Sequence, residues 1–266
     1  MTAIFSSVIR LNYYSTQLKY PKIIMILKPD KRENEVTSYR PISLLPVISK
    51  LFKGVVLKRL LPILKDKNII LDHQFGFKNV TPEQCRRIVQ EITKALENKL
   101  YWSAVFLHIS KSFQKVWQSH GLYKIKQLLP TPYYFLFKSY LRNRSFYVHI
   151  NGEDSSFGVI KSGIPLGSVL GEILYTIYTL DMPINHELTI ATCADDTAFL
   201  SINDSSFKAS EMLQNQLNII ETWLQKRNIK VNTEKSVHVT FNLRIGDCPK
   251  SNNVNYLGLH LDRRLP

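Results

Sequence analysis

The stretch CADDT, Cys193 to Thr197, sets two adjacent carboxylates, Asp195 and Asp196, between apolar arms, TIAT before them and TAFLSI after them. Like charges side by side repel, and apolar flanks deprive them of solvent, so the ionised pair calls for a cation beside it. A divalent metal supplies that charge. A plain surface turn is the competing reading, because Asp-Asp is common in turns, but it leaves the apolar flanks unexplained. A second run, FLHISKSFQKVW, Phe106 to Trp117, looks like a buried strand with His108 near its end. Cations collect elsewhere: Lys28, Lys31, Arg32 and Arg40 fall close together in sequence, the residue types that hold phosphate groups.

The elements that must position these groups are legible from periodicity. IIMILKP reads as a compact apolar strand, PDKRENEVTS as a charged turn and YRPISLL as a second extended run, a basic-tipped ribbon. PVISKLFKGVVLKRLLPILK reads as a helix with Ile48, Leu51, Phe52 and Val55 on its core face and the basic residues on the other. TPEQ at Thr81 supplies an N-cap, a proline in the first turn and a Gln for a capping box, opening a helix with the stripe Cys85, Ile88, Val89, Ile92 and Leu96. AVFLHIS predicts a strand covered on both faces. Helices follow at HGLYKIKQLL and YYFLFKSYLRN, then a hairpin in SFYVHINGEDSSFGVI turning at Asn151-Gly152.

VLGEILYTIYTL predicts an apolar helix, and TIATCADDTAFLSI a hairpin with the aspartates at its tip. A further helix starts near Asn203 to Ser206 and carries Leu213, Leu217, Ile220 and Leu224 at core spacing. SVHVTF and VNYLGLHLD read as closing strands. The order is that of an α+β fold, strands from distant parts of the chain with helices packed on one side, and no Gly-, Pro- or Ser-rich linker divides it.

Composition narrows the partners. The chain of 266 residues has 35 Lys and Arg against 21 Asp and Glu, a formal charge of +14 scattered along its length, which points to a polyanion such as nucleic acid bound on a folded surface. Three cysteines without metal-ligand spacing give neither a disulfide framework nor a zinc site, and fit an intracellular compartment, nucleus or cytoplasm. Apolar runs such as KIIMIL are too short to span a bilayer, and MTAIFSSVIR lacks the pattern of a signal peptide.

Seven segments, in order, carry a resemblance: KPDK with SYRPISLL, HQFGF, FLHISKSFQKVW, SGIPLGSVLG, CADDT, KVNTEKS and YLGLHLD. Together they resemble the reverse transcriptases of non-LTR retrotransposons, the jockey-like insect group in particular. The resemblance implies a right-hand polymerase with fingers in residues 1–100 and a palm in 101–266, an antiparallel palm sheet with helices on one face, and no thumb within this chain. It implies RNA template, DNA primer and dNTP as partners, and two Mg²⁺ ions holding nucleotide and primer for in-line phosphoryl transfer.

Residue by residue, the resemblance assigns metal binding to Asp195 with Asp196 beside it, and sets His108 where the family has an aspartate. Lys28 and Arg40 match the residues that hold the triphosphate, Phe113 the aromatic under the sugar, and Pro165, Gly167 and Ser168 the template-gripping turn. Lys235 matches the lysine that donates a proton to departing pyrophosphate. The family also has an aspartate at Gln114, a glutamine at Leu166 and a proline at Glu172, and a carboxylate in that apolar helix risks burial without a partner. These departures, His108 above all, predict a truncated, degenerate copy whose polymerase activity is absent or very low. The alternative expectation is a non-catalytic remnant that keeps the fold and binds nucleic acid.

Overall fold

The computed structural model describes residues 2–29, 32–69, 81–110, 112–150, 152–165, 168–193, 196–241, 253–256 and 259–262. In chain order the elements are α1 (Thr2–Leu11), β1 (Lys22–Leu27), β2 (Tyr39–Leu44), α2 (Val47–Asp66), α3 (Thr81–Glu97), β3 (Tyr101–His108), α4 (Gln118–Leu128), α5 (Thr131–Leu141) and β4 (Arg144–Ile150). There follow β5 (Glu153–Asp154), β6 (Gly158–Ile160), α6 (Val169–Thr179), β7 (Thr189–Cys193), β8 (Asp196–Asn203), α7 (Ser206–Lys226), β9 (Val237–Phe241), β10 (Asn253–Tyr256) and β11 (Leu259–Asp262). Among the described residues no helix is long and apolar enough to cross a membrane.

The chain forms two compact units that alternate along the sequence: residues 1–69 with 113–178, and residues 70–112 with 179–266. The first unit carries 20 of the 35 basic residues and 7 of the 21 acidic ones, so it holds +13 of the +14 net charge. In it, β1 and β2 form the expected antiparallel ribbon, with Ile26 opposite Arg40 and Ile24 opposite Ile42. β1 also pairs in parallel with β4, and β4 turns back into β5, where Ile150 opposite Glu153 leaves only two residues at the bend. Gly152 takes a φ of +88° there, a backbone region that glycine enters without steric cost.

Helix α2 corrects the predicted core face. Its buried stripe is Ser49, Phe52, Lys53, Val56, Leu60 and Leu64, whereas Ile48 and Leu51 are 47% and 49% exposed. Ser49 turns inward because its hydroxyl pairs with the Tyr14 hydroxyl at 2.8 Å and donates to the Leu18 carbonyl at 3.0 Å. The same rotation carries Lys53 into the interior, against the expectation that the basic residues all face outward.

The second unit is built on a four-stranded antiparallel sheet in the order β7-β8-β3-β9. Alternation along β3 gives it two apolar faces. Trp102, Ala104 and Phe106 join Ala198 and Leu200 of β8, Val239 of β9, and Ile88 and Ile92 of α3 in one core. Ser103 and Val105 face the other way, as does Ser201, which contacts Met212 of α7. Each face therefore carries a helix, where the sequence pattern suggested a single helical layer. Burial of Ile88, Ile92 and Trp102 stabilises by about 2 kcal/mol or more per side chain. The closing segment VNYLGLHLD is not one continuous strand, since β10 and β11 fold back on each other with Tyr256 opposite Leu259. The proposed cap around Thr81 and the HQFGF segment lie outside the described residues or side chains.

Candidate functional site

The aspartate hairpin forms as its apolar arms predict. β7 and β8 pair antiparallel with Cys193 opposite Asp196, leaving two residues for the tip. Asp195, the first carboxylate, is one of those two and lies outside the described residues. Asp196 begins β8 and stands opposite His108, the last residue of β3. Directly opposed residues share a sheet face. Accordingly His108 Nδ1 lies 2.8 Å from Asp196 Oδ1. A carboxylate only accepts, so Nδ1 carries the proton and donates it into this bond. Both side chains are partly solvated, with 25% and 30% of their surface exposed.

The segment containing Lys235 reaches the same strand end through its backbone. Asn232 donates its amide hydrogen to the His108 carbonyl at 2.8 Å, and the Ser236 hydroxyl accepts the His108 amide hydrogen at 3.1 Å. Both main-chain groups of His108 are thereby held by a turn 124 to 128 positions later. Asn232 makes that turn rigid, its side-chain oxygen accepting from the amides of Glu234 and Lys235, an Asx turn. Lys235 itself is exposed. Asn232 and Ser236 were not singled out from the sequence. The Asn-Thr-Glu-Lys pattern signals such a turn, but nothing local shows which strand it grips.

The remaining predicted residues fall in the first unit. Arg40 is exposed on β2, and Lys28 follows β1 with its amide donating to the Ser38 carbonyl at 2.9 Å. Strand alternation puts Arg40, Ile42 and Leu44 on one face of the ribbon with Ile24 and Ile26, and all but Ile24 of these are exposed. Phe113 is buried and stacked on Tyr175, ring centroids 5.0 Å apart and planes 25° from parallel. Pro165 and Ser168 are buried, while Leu166 and Gly167 lie outside the described residues. The turn closes tightly onto α6: a Cβ at Gly171 would stand 2.4 Å from the Pro165 carbonyl oxygen. Glu172 is exposed rather than trapped, though partial desolvation still pushes its carboxyl pKa up. The buried-charge risk expected there is not realised.

Against this geometry, the sequence profile of the family described as reverse transcriptase (RNA-dependent DNA polymerase) matches residues 26–261. The chain belongs to the reverse transcriptase family. Among reverse transcriptases, it is 39% identical over its whole length to the RNA-directed DNA polymerase from mobile element jockey of Drosophila melanogaster, and 38% identical to the probable RNA-directed DNA polymerase from transposon X-element of the same fly. It covers 31% of each, so the chain spans about a third of the length of these relatives. These likenesses place it with the non-LTR retrotransposon reverse transcriptases.

Solved reverse transcriptase structures share the fold. Apo telomerase from Candida tropicalis superposes with a TM-score of 0.62 at 16% identity, over 94% of this chain and 48% of that one. Telomerase from the same yeast in complex with a TWJ fragment of telomeric RNA gives 0.60 at 14% identity, over 98% and 47%. Reverse transcriptases use divalent metal ions.

Proposed function

We propose that this reverse transcriptase domain retains the nucleic-acid-binding scaffold of its family, for an RNA template and a DNA primer, but has lost most or all of its phosphoryl transfer. The observation that carries the reading is the His108 Nδ1 to Asp196 Oδ1 bond of 2.8 Å at the end of β3. By resemblance the family has an aspartate at position 108, and paired Mg²⁺ ions require hard, anionic oxygen donors. The imidazole is a softer donor that brings no negative charge, and it occupies an oxygen of the neighbouring carboxylate as well. A His108 and Asp196 pair tied to each other does not fit two Mg²⁺ ions. Removing one anionic ligand costs about 4 kcal/mol of transition-state stabilisation, roughly a thousandfold in rate.

Lys28 and Arg40 are assigned to the nucleotide phosphates, Phe113 to the floor under the sugar, where its stack on Tyr175 holds the ring in place, and Pro165 with Gly167 to the template turn. Lys235 is assigned to the proton for pyrophosphate, and Asp195 with Asp196 to what remains of the metal site. In this reading residues 1–100 act as fingers and 101–266 as palm. Nucleic-acid binding is supported by the +13 charge of the first unit and by the ribbon face, where Arg40 alternates with exposed Ile42 and Leu44.

Primer extension on an RNA template tests the reading, with Mg²⁺ and separately with Mn²⁺. The unaltered chain is expected to extend at or below a thousandth of the rate of His108→Asp. Manganese binding followed by electron paramagnetic resonance is expected to tighten in His108→Asp. Robust extension by the unaltered chain overturns the proposal, and an equally inert His108→Asp assigns the loss to other residues such as Leu166.

A further inference from the structure

Phosphoryl transfer makes no use of three cations inside the first unit. Lys19, Lys53 and Arg144 are only 5%, 1% and 6% exposed. Lys19 Nζ donates to the carbonyl oxygens of Ser139 and Arg142, and Arg144 donates to the Gly163 carbonyl at 3.2 Å. Lys53 Nζ has no hydrogen-bond acceptor among the described residues and lies 5.2 Å from the centroid of the Tyr140 ring. Desolvation, with repulsion from Arg144 and Lys50, pulls its pKa from 10.5 down to about 7. Carbonyl dipoles and an aromatic face soften these charges but do not neutralise them. Among the described residues none of the three forms an ion pair with a carboxylate.

Next to this cluster lies a pocket of about 380 Å³. Its lining includes Lys19, Tyr140 and Arg144, and Ile23, Met25, Pro41 and Phe146 contribute apolar walls. No aspartate or glutamate lines it among the described residues. An apolar chamber of a few hundred Å³ with a few convergent polar groups is the usual form of a small-molecule site. Met25, Pro41 and Ser43 lie on the opposite face of the ribbon from Arg40 and Ile42, so the pocket opens away from Arg40, while Pro165 of the template turn forms part of its lining.

We propose that the pocket binds a small organic anion, a flat apolar body seated against β1 and β2 with a sulfonate or carboxylate directed at Arg144 and Lys19. The anion supplies a counter-charge, and the apolar walls supply affinity that a simple inorganic ion cannot use. The inference does not rest on the polymerase reading, and failed primer extension leaves it unaffected.

Isothermal titration of the full chain with naphthalene-2-sulfonate, and in parallel with the neutral naphthalene-2-sulfonamide, provides the test. The sulfonate is expected to bind one to one and about tenfold tighter than the sulfonamide. Ser43→Phe, which fills the pocket from β2 without touching a charge, is expected to abolish both. Lys53→Met removes a buried charge and so keeps the fold, as circular dichroism verifies; it is expected to weaken the sulfonate severalfold and leave the sulfonamide unchanged. Equal affinities for the two probes, undiminished binding by Ser43→Phe, or no saturable binding to the unaltered chain overturns the proposal.

Discussion

Lys53 makes the stability of the first unit depend on pH in a direction opposite to that of an ordinary salt-bridged lysine. Its pKa falls from 10.5 in the unfolded chain to about 7 in the fold, chiefly by desolvation and then by repulsion from Arg144 and Lys50. Between those values the unfolded chain binds more protons than the folded one, so stability rises with pH across the window from 7 to 10.5. At about 1.36 kcal/mol per tenfold change in proton affinity, the penalty carried below pH 7 is about 4 to 5 kcal/mol. The side chain is 1% exposed, so solvent screening does little to reduce this. Lys53→Met removes the charge at nearly constant volume. At pH 6 its urea midpoint is expected about 1 to 2 M higher than that of the unaltered chain, narrowing steadily toward pH 10. Urea titrations followed by circular dichroism at pH 6, 8 and 10 measure the gap. Parallel pH profiles for the two chains, or a less stable variant at pH 6, refute the argument that Lys53 is buried without a counter-charge among the described residues.

Other perturbations have equally definite outcomes. Gly163 holds a φ of +78°, and a Cβ there would stand 2.7 Å from the Gln114 carbonyl oxygen, so Gly163→Ala should lower stability by about 2 to 3 kcal/mol. Gly54 sits inside α2 with nothing within 4 Å of its would-be Cβ, and Gly54→Ala should raise stability by about 0.5 to 1 kcal/mol, both glycine variants being measured by the same urea titrations. Ser236→Ala leaves the His108 amide without its acceptor, costing about 1 to 2 kcal/mol and speeding hydrogen exchange at that amide. Lys28→Ala with Arg40→Ala should reduce the salt dependence of nucleic-acid affinity by about two phosphate equivalents, read as a shallower slope of log affinity against log salt. An unchanged slope would remove both residues from the binding surface.

Local pattern was enough to place the parts of the site that depend on near neighbours. The aspartate hairpin, the turn at Gly152, the β1 and β2 ribbon and the fully covered β3 all follow from apolar alternation and turn residues within about ten positions. The closeness of His108 to Asp196 follows from the family resemblance, which sets both at one site, and not from local pattern. What escaped depends on remote groups. The face of α2 is set by Tyr14 and the Leu18 carbonyl pulling Ser49 inward, which no periodicity within the helix encodes. The grip of Asn232 and Ser236 on His108, and the burial of Lys53 beside Arg144, likewise join residues about ninety or more positions apart. The closing segment reads as one strand because Gly258 alone is a weak turn signal, although its apolar alternation changes phase between Tyr256 and Leu257.

Parallel pairing of β1 with β4 joins residues 22–24 to 147–149, across a stretch that includes β3 of the other unit. During synthesis, the nascent first strand has its ribbon partner early but waits for more than a hundred further residues before its other edge is covered. β3, made in that interval, waits in turn for β8 and β9. Both edges stay open to foreign strands while the ribosome works, so chaperone demand and slow, high-contact-order folding are built into the order in which this polypeptide is translated.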